Sequence, residues 1–198
     1  QAGLVLTCLG GPKKKISYKK SRQENSSLDK LFIHLSKKNS CLVRDFDPSE
    51  GSDERQYCSS EFNLPVGQAS RTIYGQYKEY HTDGDTKQFM SMKKIEQSVN
   101  FLFSVILLHE KCLPLFRNQP YCELQLGKKN LYPEINSPET IKINKSKNYE
   151  QLKHKIMLYI LSYADGNHDI IDIAETLDVD IKVVENVYDM LKEKKLIL

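Results

Sequence analysis

Apolar residues recur along this chain in short runs and at helical spacing, separated by polar segments. The continuous apolar run from Gly3 to Leu9 ends at Gly10-Gly11-Pro12, which predicts a buried strand closed by a turn. Shorter apolar stretches predict three more strands, at Ile16-Ser17-Tyr18, at Leu42-Val43 and over Leu64 to Ser70.

Helical spacing predicts two helices among these strands. Ser26 or Ser27 can cap the first, and Asp29 lies favourably in its first turn. Ser91 is the predicted N-cap of the second, which ends near His109-Glu110-Lys111. Because strands and helices alternate, we predict an α/β layer architecture. The apolar positions that define the helices are Leu28, Leu31, Phe32 and Leu35, then Met92, Ile95, Val99, Leu102, Phe103 and Ile106.

The last fifty residues have a different pattern. Three amphipathic helices are predicted, at Tyr149 to Tyr163, Ile170 to Leu177 and Ile181 to Leu191, followed by a short strand at Lys195 to Leu198. This arrangement predicts a winged-helix or helix-turn-helix fold. Residues 112–148 contain four prolines and few periodic apolar positions. We therefore predict an α/β portion over 1–111, an extended linker or arm over 112–148 and a winged-helix domain over 149–198.

Composition narrows the class of protein. The chain has 198 residues, 39% of them hydrophobic, so it can bury at least one core. Its longest apolar run, Val99 to Leu108, is shorter than the roughly 20 residues of a membrane span, and no signal peptide is visible. Five cysteines without a C-x-x-C pair favour a reducing cytoplasm. Because the chain starts at Gln1 and leads directly into a strand, we expect a missing N-terminal portion.

Charge is distributed unevenly. Residues 13–38 hold nine Lys or Arg against two acids, and residues 150–198 hold six against ten. The basic stretch 13–22 could bind nucleic acid or an anionic sugar nucleotide, but we favour a solvated hairpin edge protected by lysines. In the predicted recognition helix, Glu185 and Asp189 argue against DNA binding. We interpret the winged helix as a packing or protein-interaction module.

Two loop-type sequences concentrate groups that bind metals or transfer protons: Gly51-Ser52-Asp53-Glu54-Arg55-Gln56-Tyr57 and Tyr80-His81-Thr82-Asp83-Gly84-Asp85-Thr86. Histidine followed by Thr-x-x-Asp suits a metal site, because the imidazole supplies a nitrogen ligand while hydroxyl and carboxylate groups fix the loop. Alone the motif is weak. A lone loop histidine is more often solvated, and Asp85 can serve as a turn or cap residue.

Several segments together resemble one family, the aminopeptidase-like proteins often encoded in bacterial polysaccharide-biosynthesis clusters. The resemblance extends through the winged-helix tail. It implies a zinc-aminopeptidase-like three-layer α/β/α domain followed by an all-α winged-helix domain, of which this chain is the C-terminal half. The matching segments are Leu4 to Gly10, Ser21-Arg22, Gly51 to Ser59, Leu64 to Gly67 and Tyr80-His81-Thr82-x-x-Asp85.

The family in turn resembles co-catalytic zinc aminopeptidases and, more distantly, glutaminyl cyclase. The resemblance implies that His81 is a zinc ligand. Glu54 stands where those peptidases have a histidine. The aminopeptidase-like family itself also has a glutamate at this position. The resemblance implies that Asp53-Glu54-Arg55 forms a pocket wall, and Arg55 could bind a substrate carboxylate or phosphate.

Neighbouring side chains have two interpretations each. Tyr57, Tyr74 and Tyr80 could donate phenolic hydrogen bonds to a tetrahedral intermediate or simply pack the loop. Arg71 could face the pocket or form a salt bridge with a loop acid.

The resemblance implies a zinc-dependent hydrolase that cleaves a peptide amide or an N-acyl group on a sugar precursor. In the enzymes it resembles, the remaining zinc ligands and the glutamate general base precede the segment that corresponds to Gly3. We therefore map no catalytic residue here and expect the fragment to be inactive and not to retain zinc. The alternative is a non-catalytic module that binds a protein partner or forms a homo-oligomer through its winged helix. Nucleic acid and membranes are not expected partners.

Overall fold

The computed structural model describes residues 2–131 and 144–198, except for the side chains of 144–148. The chain folds as two compact units, Gln1–Glu110 and Lys111–Leu198, which we describe separately. Within the described residues, no helix combines the length and apolar character needed to cross a membrane.

The first unit contains a four-stranded mixed sheet with the order β1-β4-β2-β3. Strand β4 is parallel to β1, with Gly3 opposite Val66, and antiparallel to β2, whereas β2 and β3 are parallel. Strand β1 therefore forms one edge of the sheet. The strands are β1 (Gly3–Thr7), β2 (Ser17–Lys19), β3 (Leu42–Arg44) and β4 (Val66–Ser70).

Two strands are shorter than predicted, for local reasons. Strand β1 stops at Thr7 because Cys8 has a left-handed backbone, with φ of 49°. Strand β4 begins at Val66 rather than Leu64, directly after Pro65, which has no backbone N–H to give to a ladder.

The interpretation of the basic stretch as a lysine-protected hairpin edge is wrong. Strand β2 lies inside the sheet, between β4 and β3, and the side chain of Lys19 is completely buried. Lys20 pairs with Glu24 and Asp45, at 2.9 Å and 2.7 Å. A run of lysines suggests solvent exposure, but here the buried carboxylate of Glu54 stabilises one of them, Lys19, in the core.

The helices of the first unit are α1 (Ser27–Lys37), the one-turn α2 (Glu54–Tyr57) and α3 (Met92–His109). Ser26 is the N-cap of α1 and forms a reciprocal capping box with Asp29. In the core, the ring of Tyr18 stacks on that of Phe32, with 3.9 Å between centroids. Leu31, Phe32 and Ala69 are also completely buried, so α1 closes one face of the sheet.

The second unit is helical. Its helices are α4 (Asn144–Tyr163), α5 (Ile170–Leu177) and α6 (Ile181–Glu193), and a short 3-10 helix covers Leu126–Lys129. Asp169 caps α5 and Asp180 caps α6. The C-terminal segment forms an isolated β-bridge between Ile197 and Arg117. Part of the predicted arm, including Pro133 and Pro138, lies outside the described residues. The core side chains include Ile156, Ile160, Ile170, Ile173, Ile181 and Leu191.

Candidate functional site

The first candidate loop is fixed by a buried ion pair. Lys19 Nζ lies 2.8 Å from Glu54 Oε1, and both side chains are completely buried. The ammonium also donates to the carbonyl of Asp47 at 3.0 Å. The carboxylate accepts the backbone N–H of Ser52 at 3.0 Å to Oε2 and 3.1 Å to Oε1. Glu54, expected at a pocket wall, is thus an internal anchor that holds its own loop.

A glycine makes this closure possible. Gly51 has φ of 151°, and a Cβ there would lie 2.3 Å from Glu54 Oε1 and 2.8 Å from Lys19 Nζ. Any side chain at this position would collide with the ion pair, so the Gly-Ser-Asp-Glu sequence allows the backbone to approach it closely.

Gln68 connects the first loop to the second. This residue of β4 is completely buried, and its Nε2 donates to Glu54 Oε2 at 3.1 Å and to the hydroxyl of Tyr74 at 2.6 Å. The ring of Tyr74 stacks on Tyr80 at 5.6 Å between centroids, and Tyr80 stacks on the imidazole of His81 at 3.9 Å. A continuous series of contacts therefore links the buried Glu54 to His81. We call these five residues the Glu54–His81 chain.

The imidazole of His81 is presented to solvent by a tight local turn. His81 is exposed and has a left-handed backbone, with φ of 56°. Thr82 Oγ1 donates to the carbonyl of Glu79 at 2.8 Å, and the N–H of Asp85 donates to the carbonyl of Thr82 at 3.2 Å. Asp85 is therefore tied into the loop by its backbone while its side chain stays exposed.

Burial raises the pKa of the neighbouring phenols above its usual value. It does so for Tyr74 and, together with the nearby Cys8, for Tyr77. Tyr77 also stacks on Phe89 at 5.1 Å and contacts Tyr80 edge-on at 5.6 Å. At neutral pH these hydroxyl groups can donate hydrogen bonds, and the rings form an aromatic base for the second loop.

A cavity of about 550 Å³ runs along strand β1. Asp53 and Tyr57 of the first loop line it together with Leu64 and Pro65. Asp53 is exposed and makes no side-chain hydrogen bond to the helix that it begins. Arg55 is also exposed, and its guanidinium donates to the carbonyl of Pro48 at 3.3 Å. The first loop thus presents a carboxylate and a phenol to this cavity.

Arg71 has a structural position that neither sequence-based interpretation included. Its guanidinium is buried, which lowers its pKa, and donates to Ser98 Oγ at 2.8 Å. It also donates to the carbonyls of Lys13 and Lys14, at 2.9 Å and 2.8 Å. Arg71 therefore ties the basic segment to helix α3.

Sequence reasoning missed Lys19 and Gln68. Lys19 stood in a lysine run that suggested solvent exposure, and Gln68 was one polar residue in a short apolar strand. The only signal for Lys19 was its place directly after the predicted strand Ile16-Ser17-Tyr18, where a strand one residue longer would include it. No signal in the sequence distinguished Gln68.

The fold and the site define an α/β unit with two connected loops, followed by a winged-helix unit. Residues 1–111 match the model of a family described as a domain of unknown function (DUF4910), and the chain belongs to that family. Residues 114–198 match a winged helix-turn-helix family, which confirms the predicted winged helix.

Two similar proteins come from Clostridium acetobutylicum. One is named "Putative polysaccharide biosynthesis protein with aminopeptidase-like domain" and is 30% identical over 199 residues, covering 98% of this chain and 43% of the relative. The other is a crystal structure described as a "putative peptidase", with a TM-score of 0.75 and 28% identity, covering 100% of this chain and 41% of that chain. The resemblance to an aminopeptidase-like protein of polysaccharide biosynthesis is confirmed, and the chain spans less than half the length of both relatives.

Proposed function

We propose that this chain is the C-terminal part of a zinc-dependent, aminopeptidase-like hydrolase that cleaves an amide bond, on a peptide or an N-acylated sugar precursor. The observation that carries the proposal is the Glu54–His81 chain, which connects a buried anchor to an exposed imidazole on a constrained turn. Packing that orients an imidazole in this way favours a role as a metal ligand. The names of the two relatives support the same class of reaction.

The described residues do not form a zinc site by themselves. Among them, no group of three or more His, Cys, Asp or Glu side chains could hold a metal ion, whereas zinc takes three or four protein ligands. His81 would contribute one ligand, and the others would come from residues of the longer protein. Asp53 would form part of the substrate cavity wall.

The open edge of β1 supports a larger sheet and three layers in the longer protein. Leu6 on β1 is 50% exposed, beside the cavity that Leu64 and Tyr57 line. Helix α3 also exposes Val99 and Phe103. Apolar strand edges and helix faces of this kind are normally covered. We propose that the remainder of the longer protein covers both.

We expect Leu6→Lys to be more damaging in the longer protein than in this chain. In this chain the lysine remains in water, so the free energy of unfolding changes by less than about 1 kcal/mol. In the longer protein an ammonium group would be forced under the covering layer, at a cost of about 2 kcal/mol or more. Urea denaturation of both proteins measures the difference.

Leu42→Lys is the matched control, because Leu42 is 53% exposed on β3, at the opposite edge of the sheet. A loss for Leu6→Lys in the longer protein as small as its loss in this chain would show that the β1 edge is not covered.

His81→Ala should remove zinc from the longer protein. One ligand of a set of three or four is lost, so we expect the zinc content per chain after dialysis to fall to less than half of the wild-type value, together with loss of hydrolysis. The zinc content is measured by inductively coupled plasma mass spectrometry. Hydrolysis is measured with aminoacyl anilides and N-acetylated amino sugars as substrates. His168→Ala, a substitution in the winged-helix unit, is the control and should retain its zinc.

An unchanged zinc content in the His81→Ala protein would disprove the ligand assignment. Zinc binding without cleavage of any amide in the panel would favour the alternative, a site retained in a non-catalytic module.

A further inference from the structure

The second unit has its own concave site. A cavity of about 620 Å³ lies between segment 118–129 and the C-terminal residues Lys195-Leu196. Hydrogen bonds hold these walls together: Asn118 Nδ2 donates to the carbonyl of Lys195 at 2.7 Å, and Asn118 N–H donates to that of Leu196 at 3.1 Å. The guanidinium of Arg117 donates to the carbonyls of Gln119 and Leu161, at 2.8 Å and 3.3 Å. The cavity is therefore a built feature of the unit.

Its lining is positively charged in a part of the chain that is otherwise acidic. Lys128, Lys129 and Lys195 contribute three ammonium groups against the single carboxylate of Glu123, a net charge of +2. Residues 150–198, in contrast, have a net charge of −4. Within the described part of the chain, no ion pair neutralises these three lysines, whereas Lys111 of the same unit pairs with two acids. The cavity thus presents ammonium groups that no acid among the described residues neutralises, and these can attract an incoming anion.

Lys195 occupies a backbone position that favours glycine. It follows the C-cap of α6 with φ of 54°, and the N–H of Leu196 donates to the carbonyl of Leu191 at 3.0 Å, which completes a Schellman motif. A residue with a Cβ is less stable there than glycine. Lysine at this position therefore carries a conformational cost, and its side chain places an ammonium group at the cavity.

We propose that this cavity binds a small anionic ligand with a diphosphate group, of the size of a nucleoside diphosphate. The volume lies within the range typical of small-molecule sites. Lysines bind phosphate as point charges, and the amides of Asn118, Gln119 and Gln125 can form hydrogen bonds with the remainder. Leu124, which is only partly buried, supplies apolar surface for an uncharged ring.

Duplex DNA is the weaker candidate for the same charges. A DNA-binding winged helix needs a basic recognition face. On α6, however, Glu185 and Asp189 lie 2.7 Å and 2.8 Å from Lys111 Nζ, so that helix carries an acidic face already engaged within the unit. The net positive charge of the cavity lining therefore suits a compact anion better than an extended duplex.

The test is calorimetric titration of the full chain with uridine diphosphate, inorganic pyrophosphate and uridine. We expect both diphosphates to bind saturably, with affinities that fall as salt is raised, and uridine not to bind. Tighter binding of uridine diphosphate than of pyrophosphate is expected from the apolar wall. Lys128→Gln/Lys129→Gln should weaken diphosphate binding at least tenfold, and Lys195→Gly at least threefold.

Lys195→Gly separates binding from folding, because glycine suits the left-handed backbone and should preserve or raise the melting temperature. Lys182→Gln, an exposed lysine at the other end of α6, is the charge-matched control and should bind like wild type. The proposal is overturned if neither diphosphate binds at low millimolar concentration, if Lys182→Gln weakens binding as much as the cavity variants, or if duplex DNA displaces the diphosphate from the cavity lysines.

Discussion

Replacement of Lys19 by methionine is expected to lower the free energy of unfolding by about 3–5 kcal/mol. The substitution removes the partner of Glu54 at 2.8 Å and leaves a carboxylate without a counter-charge in a completely buried position. It also removes the donor to the carbonyl of Asp47, so the first candidate loop should loosen. Urea denaturation followed by circular dichroism measures the loss, and hydrogen exchange locates it in residues 51–57.

Lys20→Met is the matched control for this result. Lys20 is the next residue in the chain, but its partner Asp45 is mostly exposed, so its ion pairs should contribute less than about 1 kcal/mol. Lys19→Met combined with Glu54→Gln should regain much of the lost stability, because the amide removes the buried charge and keeps one acceptor oxygen. A loss for Lys19→Met no larger than that for Lys20→Met would contradict a buried ion pair as the anchor of the loop.

Asp29→Ala should be comparably damaging, lowering the free energy of unfolding by about 3–5 kcal/mol, since each buried donor left without an acceptor costs about 1–3 kcal/mol. Asp29 is completely buried. Its Oδ1 accepts from the Tyr18 hydroxyl at 2.8 Å and from the N–H of Ser21 at 2.9 Å. Its Oδ2 accepts from the Ser21 hydroxyl at 2.6 Å and from the N–H and hydroxyl of Ser26 at 3.0 Å and 2.7 Å. Thermal and urea denaturation measure the effect.

Asp29→Asn makes the test more specific. Each carboxylate oxygen of Asp29 accepts one backbone N–H, from Ser21 on one side and Ser26 on the other. The amide nitrogen of asparagine must face one of them whichever way it is turned, so Asn should cost at least about 2 kcal/mol. Asp83→Ala, in the exposed second loop, should change stability little. Wild-type stability of the Asn variant would show that the hydrogen bonds to Asp29 contribute little.

Local patterns predicted most of the secondary structure of this chain. Apolar periodicity located the four strands and five of the helices, and the serine pair Ser26-Ser27 marked the start of α1, where the structure selects Ser26 as the cap. The order of the strands was not accessible in this way. The pairing of Gly3 with Val66 joins distant parts of the chain, and no local signal encodes it.

The candidate site was likewise predicted in its local features but not in its long-range contacts. The two loops were recognised because their residue types are unusual and close in sequence. Their connection was not recognised. It depends on Gln68, which contacts Glu54 and Tyr74 from a strand whose sequence has no unusual feature. The left-handed backbone of His81 likewise coincides with stacking on Tyr80, a three-dimensional contact that the motif alone does not specify.

The position of β4 in the sheet determines the order in which the strands can pair while the chain is being synthesised. Strands β2 and β3 flank α1 and can assemble as a local unit while the chain is being synthesised, but β1 has a single neighbour, β4. Strand β1 has no partner within this sheet until Ser70 has left the ribosome. Closure of the loop between Thr7 and Ser70 is slow because the loop is long. A nascent chain stalled before Ser70 leaves the β4-facing edge of β1 without its partner, so translation through β4 completes the pairing of this sheet.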